Sequence, residues 1–407
     1  MYFIDCNKIN SKNVGTINDP FTDLSKVPDN ATIVISSGYQ KSINLSKKKN
    51  LVILGEDCYV ANSTTDIPPQ NLTFGVSPST KLAFVYLNNC KNVSICGVSV
   101  SSSYYVPISG VPNIPRKGVT LNACTNCVFK NSELFSAKST VGWTANDWVT
   151  NAQGMVISGG SGGNKILNCN IYNCGGIQLK GAGNLVDSNI IKNFPTDGMG
   201  IWANNNVVSN NWIEGSHRVN ANHNDLFQSS VSSGWKLINN TFICYSDPKQ
   251  PFISMDTQGV GCFDGFYNNV YIGFNKVYVD HPIGIWFQGI KDSIIENNIV
   301  KLCGSKPLYK SRTPCIFIGN KKSGESSLNN IVRNNTAPHY EFTFNDGSGN
   351  IQYNNYSTDT KRIIESTPLN YVPPLITKDK DKDKDKDKDK DKDKDKDKDK
   401  DKDKDKD

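Results

Sequence analysis

Short apolar runs broken by a polar pair recur along most of this chain. LVDSNIIKN (185–193), VVSNNWIEG (207–215), LINNTFICY (237–245), IIENNIVKL (294–302) and IVRNNTAPH (331–339) share one form: aliphatics, a polar pair usually ending in Asn, then apolar residues again. Aligned on the second polar residue, the column reads Gly97, Asn131, Cys169, Asn189, Asn211, Asn240, Asn269, Asn298, Asn335 and Asn355, with gaps of 20 to 38 residues. The shortest gaps give the period and the longer ones contain insertions. A period near twenty with alternating strands and no helical spacing predicts stacked coils ~4.8 Å apart, in which equivalent residues form ladders. Asn suits an inward bend because its amide both donates and accepts along the stack. A β-sandwich would instead show hairpin signals every few residues.

A second strand precedes each Asn strand: GIQLK (176–180), GIWAN (200–204), LFQSS (226–230), SMDTQ (254–258), GIWFQ (284–288) and CIFIG (315–319). Their second positions, Ile177, Ile201, Phe227, Met255, Ile285 and Ile316, are all apolar and are expected to point inward. Alternation then sends Gln178, Trp202, Gln228, Asp256, Trp286 and Phe317 outward. Two residues on, Lys180, Asn204, Ser230, Gln258 and Gln288 share that face. Exposed Trp is costly unless something covers it. Indole faces stack on sugar rings while amides and carboxylates bond hydroxyls, so the strip fits an extended glycan; the alternative is that long loops cover the tryptophans. Two insertions are expected to flank the strip, one with Trp143, Asp147 and Trp148, the other with Tyr104, Tyr105, Arg116 and Lys117.

Composition changes this picture at the ends. Lys378–Asp407 is a run of Lys-Asp pairs, neutral and without apolar residues, so it cannot offset the entropy of ordering and is expected to be disordered. A folded domain over residues 1–374 and a tail over 375–407 follow. The net charge of +6 lies outside the run and is not clustered, which argues against nucleic acid as partner. Met1–Asn10 lacks the pattern of an export signal, and no apolar stretch is long enough to span a bilayer. The expected location is therefore cytoplasmic or on a virus particle. Cys124 and Cys127 have C-x-x-C spacing without a second pair, so buried reduced thiols are expected rather than a metal site.

Candidate chemistry gathers in SHRVNANHNDLFQSS (216–230), which holds two of only four histidines. Counting five residues back from Trp202, Gln228 and Trp286 reaches Asp197, His223 and His281. Asp197 and His223 are thus expected on adjacent coils, a carboxylate preparing an imidazole for acid or base work. Asp225 and Asp256 form a second acidic pair. His217 and Arg218 lie in the preceding bend, either binding an anion or solvated.

The repeat over roughly residues 15–360, with the opening VGTINDPFTDLSKVPDNATIVISSG leading into LVILGE, resembles the right-handed parallel β-helix superfamily that includes pectate lyases, polygalacturonases, uronan epimerases and phage tailspikes. The resemblance implies an all-β fold: a single-stranded right-handed parallel β-helix, a solenoid with loop insertions and a disordered Lys-Asp tail. It also implies a polysaccharide partner. The pectate lyase calcium cluster with its catalytic arginine is not recognisable, nor is the full polygalacturonase set of paired aspartates with R-x-K. His223, Asp225 and Gln228 form an H-x-D-x-x-Q pattern similar to short motifs in β-helix proteins acting on polysaccharides.

Two function classes stay open. One is an enzyme that cleaves or epimerises the glycan. As a hydrolase it would use Asp197, Asp225 and Asp256. As a lyase or epimerase on a uronic acid it would use His223 as base, with Lys180 or Arg218 as neutraliser. Gln178, Lys180, Trp202, Gln228, Trp286, Gln288, Trp143 and Trp148 would bind substrate. No cofactor is required, and a divalent cation such as calcium is left open. The other class is a non-catalytic spike or adhesin, for which the resemblance suggests a homotrimer.

Overall fold

The computed structural model describes residues 1–5, 15–16, 18, 20–22, 24–39, 42–58, 77–104, 118–152, 154–160, 162–219, 223–244, 257–304, 312–343 and 348–366. Asp256, Met255, Tyr105, Arg116 and Lys117, the expected domain end near 374 and the Lys-Asp tail lie outside them. The described chain winds as the parallel β-helix that the repeat implies, each strand pairing in parallel with its equivalent on the next coil. One wall is an eleven-stranded parallel sheet running from Ile43–Ser46 to His339–Thr343. Of the remaining described strands, two to most coils, all but the short pair Tyr267–Asn268 and Ile290–Lys291 form a 25-stranded sheet that ends in the antiparallel hairpin of Ile351–Ser357 and Arg362–Ser366.

The paired polar residues explain how each coil turns. The first member takes a left-handed backbone, as Asn210, Asn239, Asn297, Asn334 and Asn354 do at φ of 52–56°, a conformation Asn tolerates better than most residues. The second member points inward. Asn189, Asn211, Asn240, Asn275, Asn298, Asn335 and Asn355 form one buried ladder, each Oδ1 accepting the backbone N–H of the coil before it. Cys169 enters the same column and donates its N–H to Asn189. Asn275, not Asn269, holds the rung between Asn240 and Asn298, and Ser132 rather than Asn131 lies in the column. Gly97 and Asn131 are the left-handed residues one step earlier. A second ladder, Asn164–Asn184–Asn206, closes the next bend.

The sheet registers correct two of the expected strands. Gln178 pairs with Gly200, Gly200 with Gln228, Gln228 with Gly261, and Gly261 with Trp286. The strand expected at SMDTQ is therefore Gln258–Cys262, and GIWAN contributes Met199–Ile201. Met199, rather than Ile201, and Val260 join Ile177, Phe227, Ile285 and Ile316 in the core column. The SMDTQ strand is displaced by five residues, whereas the GIWAN strand slips by two, and because side-chain facing repeats every two residues that slip leaves each of its residues on the expected side. Only closure of the coil reveals it. The tripeptides Gly200-Ile201-Trp202 and Gly284-Ile285-Trp286 are identical, yet stand two positions apart in register.

The insertions enter at one corner, between the Asn strand and the following strand of the eleven-stranded sheet. The helix Ala145–Asn151 is one of them, started by a capping box in which Thr144 and Asp147 bond each other's backbone N–H. The segment before Asp225 is another. Asn224 anchors its end, donating from Nδ2 to Ser216 Oγ at 2.7 Å and to Pro195 O at 3.4 Å. The described parts of both segments join the coil at this same corner.

Candidate active site

Leu226 and Phe227 are consecutive and both enter the core. Strand alternation therefore slips by one, and Asp225 and Gln228 come to the same outer face. Asp225 lies directly opposite Gln258 on the next coil. Its backbone N–H donates to Asp197 Oδ1 of the previous coil at 3.1 Å, and Gly198 N–H donates back to Asp225 O at 3.0 Å. Asp197 thus adjoins Asp225; the expected five-residue offset had set it against His223. His223 meets Asp225 within its own loop, Nδ1 lying 3.4 Å from Oδ2.

This crowding sets the proton affinities. Burial, then the neighbouring Asp225 charge, pushes the Asp197 carboxyl up to about 7. Asp225 is fully buried and also raised, by burial first, with His223 opposing. The His223 imidazole, more than half exposed, is raised chiefly by its bond to Asp225. That favours the proton-bearing imidazolium, a donor rather than a base.

A third carboxylate completes the group. Asp264 is exposed and accepts from Gln228 Nε2 at 3.4 Å, and its charge reaches Asp197, Asp225 and His223. Sequence alignment missed it because the strand before it was set too early. Once that strand is Gln258–Cys262, Asp264 falls just past its end, on the outer face.

Beside these acids opens a cleft of about 400 Å³ lined by His223, Gln258, Phe263, Asp264, Ile283, Trp286, Gln288 and Lys322. Its long wall is aromatic. Trp286 stacks on Phe317 at 3.9 Å and 11°, and Phe263 adjoins Trp286 at 6.3 Å. Glycines make this shelf possible. A Cβ on Gly261 would come within 2.8 Å of the Phe263 ring and 3.0 Å of Asp225 Oδ1. Phe317 covers Gly319, and Trp202 covers Gly200, in the same way. With no side chain of its own, each glycine lets a ring two residues away lie flat on the sheet.

The other expected binding residues divide. Trp286, Gln288 and Gln228 join the acids. Trp202 faces outward over Gly200, one coil from Gln228, with Lys180 Nζ of the coil before it 5.8 Å from its ring. Gln178 lines a separate cleft of about 250 Å³ with Thr196 and Gly176. Trp148 is fully buried in the wall of that same cleft. Its indole stacks on His217 at 4.3 Å, and Trp143 meets it edge-on at 5.0 Å. Both tryptophans hold the insertion against the coil, and His217 is buried instead of solvated. His281 is also buried, its Nδ1 accepting from Ile283 N–H. Tyr104 packs edge-on against Phe135. Cys124 and Cys127 are buried with their sulfurs on backbone carbonyls, as expected of inert thiols.

No protein-family model matches the sequence, and no curated protein is similar to it. Among solved structures, the Dettilon tailspike protein superposes with a TM-score of 0.46 at 13% identity, over 78% of this chain and 59% of that one, so the chain spans under two thirds of the tailspike. DFA-IIIase from Arthrobacter chlorophenolicus A6, without its lid and in complex with GF2, gives 0.48 at 12% identity over 82% and 86% of the two chains. The GH136 lacto-N-biosidase from Eubacterium ramulus gives 0.41 at 10% over 84% and 68%.

Proposed function

We propose that this protein binds an extended glycan along the outer face of the eleven-stranded sheet and hydrolyses a glycosidic bond beside Asp197 and Asp264. The observation that carries the reading is the contact between Asp225 and Asp197. There burial, then the Asp225 charge, outweighs the backbone bond and keeps the Asp197 carboxyl protonated up to about pH 7, while Asp264 is a carboxylate open to the cleft. Two carboxyl groups with different environments are what glycoside hydrolysis needs.

In this scheme Asp197 gives its proton to the glycosidic oxygen as the bond to the anomeric carbon breaks. Asp264, oriented by Gln228, acts from the other side, on a water or on the anomeric carbon itself. Asp225 is too buried to touch substrate; it holds the Asp197 proton and the His223 imidazolium in place. The shelf of Phe263, Trp286 and Phe317 stacks the sugar rings, and Gln258 and Gln288 bond hydroxyls.

A neutral glycan fits this site better than a uronate. Asp264 lines the cleft with Asp197 and Asp225 behind it, and the imidazolium of His223 and Lys322 line it as well, so acids and cations offset one another and a polyanion gains no net attraction. A lyase or epimerase would also need His223 deprotonated, and Asp225 works against that.

The test is a reducing-end assay with neutral and uronic-acid polysaccharides, using the full chain, Asp197→Asn and Asp264→Asn. Turnover of a neutral glycan that both variants lose supports the reading. Unsaturated products absorbing in the ultraviolet would show a lyase and overturn it. Retention on a glycan column with no turnover would leave a spike or adhesin, for which a homotrimer by sedimentation is the companion expectation.

A further inference from the structure

The last two strands of the eleven-stranded sheet carry a donor set of a different kind. Cys315 and His339 are paired in register, as are Phe317 and Glu341 two residues on. One donor atom each from Cys315, His339 and Glu341 lies within 4.8 Å of the others. From this geometry we infer a site for a zinc-class divalent cation, with three protein donors and a fourth position left for an exchangeable ligand.

The hydrogen bonds around His339 support the assignment. Thr313 Oγ1 donates to Asp359 Oδ2 at 2.8 Å, which spends its only proton. It can then only accept from His339 Nδ1, 3.1 Å away, so the lone pair of a neutral ring is on Nε2. Nε2 in turn faces Glu341 Oε1 at 3.1 Å. Two acceptors face each other there, and the contact requires a proton or a metal cation between them. The Asp359–Thr313–His339 chain orients the ring as outer partners orient metal-ligating histidines.

Cys315 supplies the third donor. It is fully buried, and burial, followed by the Glu341 charge, pushes its thiol up to about 12. A cation at this point reverses that effect, converting thiol to thiolate with release of a proton. Arg312 pairs with Glu341 Oε1. The side chains of His339 and Glu341 are 28% and 32% exposed, so one side of the cluster is open to solvent. A mixed sulfur, nitrogen and oxygen set with one open position suits zinc rather than calcium or magnesium, which take oxygen donors.

The site also sits where a cross-link matters. Strand His339–Thr343 is the last of its sheet, paired on one side only. A metal bridging it to Cys315 ties the final rung to the one before it.

Cobalt(II) is the probe, added to the full chain and to C315S and H339A. The expected result is one equivalent bound, with the visible bands of a four-coordinate ion and a near-ultraviolet thiolate-to-cobalt band. C315S loses the near-ultraviolet band, and H339A binds at least tenfold more weakly. Zinc should raise the thermal midpoint of the unmodified chain and leave that of C315S unchanged. A six-coordinate spectrum, or bands in C315S equal to those of the unmodified chain, would overturn the proposal, the latter by assigning the metal to other thiols. If C315S does not fold, H339A carries the same comparison.

Discussion

Asp225 and Asp197 are joined across two coils by the backbone of one and the side chain of the other, Asp225 N–H donating to Asp197 Oδ1 at 3.1 Å. A carboxylate that accepts a backbone N–H would ordinarily hold its charge well. Here burial and the second acid outweigh that bond, and Asp197 keeps its proton up to about pH 7.

A raised carboxyl affinity in the folded chain makes stability depend on pH. The folded state binds the proton more tightly than the unfolded one, so stability is full below the ordinary carboxylate range and is lost as pH rises through about 7. The loss is on the order of 4 kcal/mol. Asp197→Asn keeps the acceptor and removes the titration, so its urea midpoint should stay flatter from pH 4 to 8. An unchanged slope in the variant would assign the dependence to other groups.

Glycan cleavage should follow the same proton. The rate falls as pH rises through about 7 and Asp197 ionises. Asp225→Asn removes the charge that helps hold this proton, so the descending limb should move to lower pH. A pH–rate profile of kcat for the two proteins measures the shift.

His223 reports on the other side of Asp225. Its affinity is raised mainly by that carboxylate, so the imidazolium should persist to higher pH in the unmodified chain than in Asp225→Asn. A proton NMR titration of the ring resolves this, because the chain has only four histidines. Equal midpoints would mean that the 3.4 Å contact is not maintained in solution.

The two members of one polar pair should respond differently to mutation. Asn240 bonds Val208 O, Ile238 O and Asn275 Oδ1 from a fully buried position, and its own oxygen accepts from Asn211. Asn240→Ala leaves several of these groups unpaired and should cost at least about 3 kcal/mol in chemical denaturation. Asn239 is exposed with φ of 52°. Asn239→Ala should cost only about 1 kcal/mol, and Asn239→Gly close to nothing.

The shelf should contribute to binding more than to folding. Trp286→Ala removes the ring that stacks on Phe317 and should weaken glycan binding by about tenfold, on the order of 1 kcal/mol. The core column behind it, Ile285, is untouched. Isothermal titration with the cleaved glycan, together with a thermal midpoint, separates the two effects.

The sequence alone determined the winding, because an Asn at each bend and an apolar residue at each inward position are local requirements repeated coil after coil. It also determined that His223, Asp225 and Gln228 share a loop and a strand, since they lie within six residues of one another. Which coil stands beside which residue was decided only in three dimensions. Asn269 and Asn275 both satisfy the local pattern, and so do Ile201 and Met199. The choice between them depends on how many residues the neighbouring bends take up. A slip of two positions at Gly200 costs nothing in alternation, yet it moves Asp197 from His223 to Asp225, and a shift of five in the next strand, from Asp256 to Gly261, brings Asp264 into the site. Cys315, His339 and Glu341 carry no spacing signal, because their proximity comes from the stacking of two coils separated by an insertion.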